Sequence, residues 1–452
     1  MIPKILQDIQ SDLNSYNAKA FIVGGFSRDY IMDNCIDYKD IDVEVFGIEY
    51  HNLVSVLSKY GEINEVGKSF GVIKIKIDDT DYDFSIPRKE TKSGKGYSGF
   101  DIHTDHNMSI EHSALRRDFT INAIYIDCDG HIHDPCHGID DINNMILRPV
   151  SESFKEDPLR VLRACQFASR FDLIVDDSFN YYATVVKNEY SDLSKERIWT
   201  EWEKWASKSI VPSKGLKVLN DCGWIHLYPE IANMIYVMQD KIYHPEKTVF
   251  LHTGFVCDYM CDLCQRDNIK GEDRVVLMFS ALCHDMGKVT HTQFKNNGRI
   301  GSKGHESASV PLAESFLNSI GCPKNVIKRV LPLVKNHMCG NIELSDKAIK
   351  RLSYRLLPEC IDNLVLLCES DQCGRPPLPK VISDKLQFLK NKSKELNVNK
   401  VAPKPLINGN DLIELGYKPG FELGRILKKL YEMQLNESFS NKEKGLKLSK
   451  GI

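Results

Sequence analysis

Two aspartates separated by one residue, Asp40 and Asp42, are the first residues whose type and spacing could do chemistry. They open a predicted strand over 41–46, and because side chains alternate across a strand, both carboxylates point to the same face. Such a pair can hold Mg²⁺ together with substrate phosphates, and two ions held in this way stabilise the attacking and leaving oxygens of a displacement. Asp83, on a later predicted strand, is a candidate third carboxylate. Alone, two spaced aspartates are more often a solvated strand end.

A glycine pair lies upstream of these aspartates, in the segment GGFSRD from Gly24 to Asp29. It follows a predicted strand over 20–23 and precedes a helical stretch, so side-chain-free backbone could approach a triphosphate at a helix N-terminus. A tight turn with a structural pair between Arg28 and Asp29 explains the same residues. The motif by itself does not decide between the two interpretations.

Three further motifs follow in the chain: RRDFTINA over 116–123, EDPLRVLR over 156–163 and ERIWTE over 196–201. With GGFSRD and KDID, their order resembles that of the class II tRNA nucleotidyltransferases, the CCA-adding enzymes with a polymerase-β-like head. The resemblance implies addition of C, C and A to the 3′ end of tRNA from CTP and ATP, with no nucleic-acid template. It also implies a set of nucleotide-binding residues: Gly24, Gly25, Arg28, Arg117, Asp118, Asn122, Asp157, Arg160 and Arg163.

Two members of this set have the chemistry that base selection needs. Asp157 and Arg160 are three residues apart on a predicted helix, so both reach the same side of it. A carboxylate only accepts and a guanidinium only donates hydrogen bonds, which matches the amine and ring nitrogen that cytosine and adenine both present. Guanine and uracil present the reverse pattern and would leave buried groups unpaired. A helix ion pair between Glu156 and Arg160 is the alternative interpretation. Within the RRDFTINA motif, we expect Arg117 or Asp118 to contact the ribose.

A second group of residues suits metal-dependent hydrolysis. His284 and Asp285 are adjacent in ALCHDMGK, and imidazole with carboxylate ligands suits a divalent ion that activates water. Further residues of the same types lie upstream and downstream of this pair: His252, His305, His337 and Asp371. The order of the six residues resembles that of the HD phosphohydrolase superfamily. The resemblance implies four metal ligands, His252, His284, Asp285 and Asp371, with His305 and His337 as further candidates. In long bacterial CCA-adding enzymes this domain implies phosphatase and 2′,3′-cyclic phosphodiesterase activity.

The basic, glycine-rich segment Arg88–Phe100 predicts a mobile surface loop. In the family that the chain resembles, a flexible loop here takes part in the change from C to A addition, and enzymes that add only CC lack part of it. Its near-full length favours complete CCA synthesis.

The elements that must position these residues predict an α+β protein. Strand patterns occur at 20–23, 41–46, 71–77 and 81–86, and after Pro149 the pattern is helical almost to the end. A length of 452 residues predicts two to four domains. We expect a nucleotidyltransferase head over 1–150, a helical neck over 151–235, an HD domain over 236–375 and a tRNA-binding helical tail over 376–452.

The composition excludes several classes. A net charge of -3 excludes a histone-like polycation, and the apolar stretches are too short to span a membrane. The fourteen cysteines, without a visible export signal, predict a reducing cytoplasm. Cys257, Cys261 and Cys264 share a helical face, but a thiolate metal site is the less favoured interpretation because no second pair accompanies them. RNA phosphates must then meet local basic groups, or these groups are simply solvated helix faces: Lys324, Lys328, Arg329, Lys335, Lys428, Lys429, Lys442, Lys444, Lys447 and Lys450.

Several alternatives stay open at this point. The head could belong to a CC-adding, A-adding or polyadenylating enzyme, or it could be a nucleotide sensor attached to an HD phosphohydrolase. We expect Mg²⁺ in the head, whereas Mg²⁺, Mn²⁺, Co²⁺ and Ni²⁺ are all compatible with the HD site. The oligomeric state is not determined by these patterns.

Overall fold

The structure is a computed structural model that describes residues 2–32, 40–64, 71–92 and 100–452. The chain divides into two compact units. The first unit comprises residues 1–205 and 214–224, and the second comprises 206–213 and 225–452. The finer division into head, neck, HD domain and tail stays a prediction.

The strands of the described residues in the first unit are β1 (Lys19–Ile22), β2 (Asp40–Phe46), β3 (Ile63–Asn64), β4 (Val72–Ile77), β5 (Thr80–Ser85), β6 (Arg88–Lys92), β7 (Phe100–Thr104), β8 (Tyr125–Asp127), β9 (Ile132–His133), β10 (Ile146–Leu147) and β11 (Ile174–Val175). Seven of them form one sheet of order β3-β4-β5-β2-β1-β8-β9, in which β2 and β5 are parallel. The four predicted strand regions correspond to β1, β2, β4 and β5. The predicted loop over 88–100 is wrong at its ends, because β6 and β7 pair there as an antiparallel hairpin. Its centre, 93–99, lies outside the described residues.

Nine α-helices accompany these strands in the described residues up to Asp221. Their bounds are α1 (Lys4–Leu13), α2 (Gly25–Ile31), α3 (Tyr50–Leu57), α4 (Ile110–Ala114), α5 (Gly138–Asn143), α6 (Leu159–Phe171), α7 (Ser178–Val186), α8 (Lys195–Lys208) and α9 (Pro212–Asp221). The alternation of β2 explains its orientation: Ile41, Val43 and Val45 are fully buried in a core that includes Leu6 and Leu53, from α1 and α3. The other face of β2 therefore carries Asp40 and Asp42.

The second unit is helical, apart from a small hairpin formed by β12 (Gln293–Phe294) and β13 (Ile300–Gly301). Its helices are α10 (Pro229–Ala232), α11 (Val249–Arg266), α12 (Gly271–Cys283), α13 (Lys288–His291), α14 (His305–Ser319), α15 (Lys324–Asn336), α16 (Asp346–Arg355), α17 (Ile361–Cys373), α18 (Asp384–Glu395), α19 (Gly409–Glu414), α20 (Phe421–Leu435) and α21 (Lys442–Ser449). Every residue of α12 from Val275 to Cys283 is buried, so this apolar run is a core helix. In the described part of the chain, no helix is both long and apolar enough to cross a membrane.

The predicted cysteine face is part of the helical core. Cys257, Cys261 and Cys264 are buried in α11. Burial raises the pKa of the Cys264 thiol to about 12, and the Cys261 thiol donates to the backbone carbonyl of Ser209 at 2.9 Å. A raised thiol pKa disfavours the thiolate that a metal needs. Their placement therefore favours packing over metal binding.

Candidate functional sites

The carboxylates of the first unit meet on two parallel strands. Asp42 of β2 lies opposite Asp83 of β5, and Asp40 lies opposite Asp81. Although Asp42 is exposed at the edge of its strand, desolvation by the surrounding protein raises the pKa of its carboxyl, and the charges of Asp40 and Asp83 act in the same direction. Lys74 offsets part of this negative charge, because its ammonium lies 2.5 Å from Asp83. The register thus brings the candidate third carboxylate beside Asp42.

Gly24 allows the chain to pass close to this carboxylate. It adopts a φ of +71°, and a Cβ added there would lie 3.3 Å from the Asp42 carboxylate and 3.7 Å from the Arg117 guanidinium. A side chain would therefore be strained in its backbone and crowded by both charges. Arg117 is itself held by Glu44, whose carboxylate lies 3.2 Å away on β2. Gly24, Asp42 and Arg117 therefore form one polar cluster, in which the Asp42 side chain is exposed.

Arg28, predicted to bind nucleotide, is only 4% exposed. Its guanidinium contacts Asp29 at 2.7 Å, donates to the Asn122 side chain at 2.9 Å and lies 4.4 Å from the ring centroid of Phe171. These contacts match the structural Arg28/Asp29 pair that the sequence left open. The residue positions Asn122 and α6.

Asp118 is the centre of a second buried network. It accepts from Asn122 at 3.0 Å and from Arg163 at 2.7 Å. Burial alone would raise the pKa of Asp118, but the Arg163 guanidinium and the Asn122 hydrogen bond bring it down to about 2. Asp118 is therefore a charged anchor between the RRDFTINA segment and α6.

The predicted base-reading pair does not share a helix. Helix α6 begins at Leu159, and Asp157 has extended backbone before it, so the predicted helical position of Asp157 is wrong. Pro158 explains this, because a residue before proline is disfavoured in the helical region. The Asp157 carboxylate contacts Arg197 at 2.7 Å, and Arg160 donates to the backbone carbonyls of Ser153 and Arg116, both at 2.8 Å. Both side chains are oriented, each by a different partner.

The six candidate ligands of the second unit converge, although they come from positions 119 residues apart. They lie at or near the ends of five helices: His252 in α11, His284 and Asp285 after α12, His305 at the start of α14, His337 after α15, and Asp371 near the end of α17. Their ligand atoms form two groups, each within 4.8 Å: His252, His284 and Asp371, and Asp285, His305 and His337. Asp285 also approaches the first group, since its carboxylate lies 3.2 Å from His284.

The imidazole tautomers indicate what kind of ligand this centre would bind. The Nδ1 atoms of His284, His305 and His337 lie 2.6–2.8 Å from backbone carbonyls, and Nδ1 of His252 lies 2.8 Å from the Glu246 carboxylate. Because these oxygens only accept, each Nδ1 carries the proton and each Nε2 of a neutral ring presents a lone pair. The Nε2 atoms of His305 and His337 are 3.0 Å apart. When both rings are neutral, two lone pairs at that distance repel, and a cation that binds both would remove the repulsion, so the donor set fits a bound cation.

Charges around Asp285 agree with a cation site. Burial would raise the pKa of Asp285, yet His284 and Lys288 hold it well below its usual range. The Lys288 ammonium lies 2.6 Å from this carboxylate and donates to Gln239 at 2.7 Å. Burial lowers the pKa of His337 to about 3, so its ring stays neutral and able to bind a metal. A cavity of about 530 Å³ opens over Asp285, Asp371 and Lys288.

Comparison with known proteins identifies two domain families in the chain. Residues 20–148 match the family described as the Poly A polymerase head domain, and residues 249–369 match the HD domain family. A "Multifunctional CCA protein" of Acinetobacter baumannii (strain SDF) is 33% identical over 372 residues, covering 79% of this chain and 84% of the relative. The protein of the same description from Methylobacillus flagellatus is 33% identical over 369 residues, with the same coverage of both chains. This chain belongs to the CCA-adding tRNA nucleotidyltransferases with an HD domain.

Solved CCA-adding enzymes share the fold. The Bacillus stearothermophilus CCA-adding enzyme in complex with CTP superposes with a TM-score of 0.64 at 18% identity, covering 98% of this chain and 95% of that one. The Thermotoga maritima CCA-adding enzyme complexed with tRNA gives 0.60 at 18% identity, covering 100% and 96%. The recognition, the α+β fold and the nucleotidyltransferase class predicted from the sequence are therefore confirmed.

Sequence reasoning missed three residues that hold these sites in the CCA-adding chain. Glu44 orients Arg117, Glu246 orients His252, and Lys288 contacts Asp285. Glu44 continues the Asp40, Asp42 alternation, and Lys288 follows Asp285 by three residues in HDMGK. Both signals were in the sequence. Glu246 had only its nearness to His252 in the chain.

The basic residues considered for RNA binding divide by their partners. Arg329 contacts Glu272, Asp273 and Glu359, all within 2.9 Å, and Lys442 contacts Asp411 at 2.6 Å. These two cations therefore already form ion pairs within the protein. The remaining lysines are exposed on the second unit: Lys324, Lys328, Lys335, Lys428, Lys429, Lys444, Lys447 and Lys450.

Proposed function

We propose that this nucleotidyltransferase adds C, C and A in turn to the 3′ end of tRNA, with CTP and ATP as substrates. The observation that carries the proposal is the register that puts Asp42 opposite Asp83, with the Gly24 backbone against the same carboxylate. Divalent ions at Asp40 and Asp42, of which Mg²⁺ is the expected one, would neutralise triphosphate charge and stabilise the reacting oxygens. The RNA 3′ hydroxyl attacks the α-phosphate, and the bond to pyrophosphate breaks.

Base choice then falls to Asp157 and Arg160. The carboxylate accepts from the exocyclic amine of cytosine or adenine, and the guanidinium donates to the adjacent ring nitrogen. Arg197 supports this role by holding one carboxylate oxygen of Asp157 at 2.7 Å. The network of Asp118, Asn122 and Arg163 supports a ribose contact, since hydrogen bonds to Asp118 already orient these side chains.

The test uses full-length protein, a tRNA that lacks its terminal CCA, labelled CTP and ATP, and Mg²⁺. Sequencing of the products should give CCA with both nucleotides and CC with CTP alone. Products that end at CC with both nucleotides present, or poly(A) tails, would instead support the CC-adding or polyadenylating alternatives.

We propose that the HD domain contains a second active site, which hydrolyses phosphate esters at nucleotide 3′ ends. The four Nε2 lone pairs and two carboxylates carry this assignment. A bound divalent ion would lower the pKa of a water so that it attacks phosphorus at neutral pH. On a 2′,3′-cyclic phosphate, water attack breaks the bond to one ribose oxygen, which takes a proton and leaves a phosphomonoester. Because imidazole donors favour transition metals over magnesium, we expect Mn²⁺, Co²⁺ or Ni²⁺ to be more effective than Mg²⁺.

The assay for this site uses metal-stripped protein refilled separately with Mg²⁺, Mn²⁺, Co²⁺ or Ni²⁺. Substrates are an RNA that ends in a 2′,3′-cyclic phosphate and a simple phosphomonoester. Turnover of the cyclic phosphate with at least one ion is the expected result. No turnover of either substrate with any ion would leave this domain without a hydrolase function.

A further inference from the structure

Two segments form the entrance to the HD cavity, residues 240–243 and 293–303, which we call the cavity mouth. Tyr243 and Ile300 line the cavity from the two segments. The buried Asp240 carboxylate joins them, because it accepts from the Arg299 side chain at 2.5 Å. The Arg299 guanidinium also lies 5.0 Å from the ring centroid of Tyr243. These contacts join the two segments and hold the ring of Tyr243 against Arg299.

Aromatic side chains of the cavity mouth are unusually open. Phe294 is 76% exposed and Tyr243 is 56% exposed. Phe294 lies directly opposite Ile300 in the β12–β13 hairpin, so the two side chains share one face of it. Phe294 thus lies next to Ile300, which lines the cavity. The proposed nucleotidyl transfer and the metal centre use neither aromatic ring.

The two segments that carry these rings also carry three lysines. Lys241, Lys295 and Lys303 are exposed in or beside the same two segments. Within the described residues, no carboxylate lies within 4.0 Å of their ammonium groups, whereas Arg299 is neutralised by Asp240. Open aromatic faces among unpaired cations are the features with which proteins hold single-stranded nucleic acid, through base stacking and phosphate contacts.

We propose that the cavity mouth binds the unpaired nucleotides that precede the terminal phosphate of an RNA 3′ end, with one base stacked on Phe294. This inference rests on the proposed hydrolase function of the HD domain and names its substrate class. RNA ends that carry a phosphate or 2′,3′-cyclic phosphate are preferred over free mononucleotides. The terminal group reaches the cavity floor beside Lys288, while the lysines of the mouth meet the preceding phosphates.

The test compares two substrates in the metal-loaded full-length enzyme: an eight-nucleotide RNA ending in a 2′,3′-cyclic phosphate, and adenosine 2′,3′-cyclic phosphate. Because a stacked base contributes to binding only in the longer substrate, Phe294→Ala should raise KM for the RNA about tenfold and leave KM for the mononucleotide within about twofold. Phe294→Tyr, which keeps an aromatic ring at this position, should retain the wild-type KM for the RNA. Phe421→Ala is the matched control, since Phe421 is 90% exposed on the same unit but lies in α20, outside the two segments of the cavity mouth.

The outcomes separate this inference from the hydrolase proposal. Hydrolysis of both substrates with an unchanged RNA KM in Phe294→Ala overturns the inference alone. An equal rise in KM for both substrates also overturns it, because the site would then recognise a mononucleotide. Failure of the wild-type protein to hydrolyse either substrate refutes the hydrolase function and the inference together.

Discussion

The candidate centres of the two units differ in how far each is built before a ligand arrives. In the first unit, Asp40 and Asp42 lie exposed on one face of β2. In the second unit, six candidate ligands lie at helix ends with their Nδ1 atoms or carboxylates already held by neighbours. Substrate and ions must complete the first site, whereas the second site needs only its ions. We therefore expect a substitution that inactivates one site to leave the activity of the other site unchanged.

The largest expected effect comes from Asp42→Ala, which removes one of the two proposed magnesium ligands. Nucleotide addition should fall by at least about 10³-fold, because the charge of the triphosphate is no longer compensated. Hydrolysis by the HD domain should be unchanged. Incorporation of labelled CMP into truncated tRNA measures nucleotide addition. Asp129→Asn, which changes an exposed carboxylate elsewhere in the unit, is the control. Addition at the wild-type rate in Asp42→Ala would mean that Asp42 is not a ligand.

His284→Ala should have the reverse pattern. The substitution removes a buried Nε2 atom that is a candidate metal ligand. Hydrolysis of a cyclic phosphate should therefore be lost while CCA addition is retained. His226→Ala, an exposed histidine in the same unit, should keep both activities. If His284→Ala also abolishes nucleotide addition in a folded protein, the independence of the two sites is refuted.

Glu246→Gln should weaken the second site without removing a ligand. The variant keeps the shape but loses the charge that fixes the Nδ1 proton of His252, and a lost partner of this kind lowers metal affinity about tenfold or more. Titration of Co²⁺ into metal-stripped protein measures the affinity. Glu343→Gln, an exposed glutamate, provides the comparison. An unchanged affinity would show that Glu246 does not position His252.

Exchange of Asp157 and Arg160 for each other should lower C and A incorporation about tenfold and permit some G or U. The exchange reverses which side chain donates and which accepts. Because it also removes the contact between Asp157 and Arg197, thermal unfolding must be measured alongside. Arg197→Lys, which keeps a cation beside Asp157, should retain selectivity. Wild-type selectivity in the exchanged protein would remove the base-reading role.

The smallest effect concerns stability in the first unit. Since the pKa of Asp118 is lowered from 3.8 to about 2, its ionised form stabilises the fold by about 2 kcal/mol above pH 4, and this is lost as pH falls towards 2. Asp118→Asn should lose this amount at pH 7. Fluorescence follows the unit selectively, because the four tryptophans lie at 199, 202, 205 and 224.

The pH series provides the control for this variant. The difference in unfolding free energy between the wild type and Asp118→Asn should shrink as pH falls from 4 to 2. A difference that is independent of pH would show that the charge of Asp118 is not what stabilises the unit.

Strands with strong local patterns were predictable, and those that depend on distant partners were not. The runs at β1, β2, β4 and β5 alternate or are continuously apolar, so the period alone indicates them. Strand β8 has three residues and exists because it pairs with β1, which is about 100 residues earlier in the chain. The hairpin of β6 and β7 was missed for another reason, because glycine and lysine at its centre favoured a loop.

The amino-acid sequence by itself determined the kinds of chemistry present: spaced carboxylates, glycine pairs and an ordered set of histidines and aspartates. Spacing and residue type are local properties, and they identified the family. Only the tertiary structure decided that Arg28 is buried against Phe171 and that Asp157 lies before its helix. It also decided that Glu246 fixes the tautomer of His252. These features depend on which groups meet across the fold, and burial and hydrogen-bond partners are set by packing between distant segments.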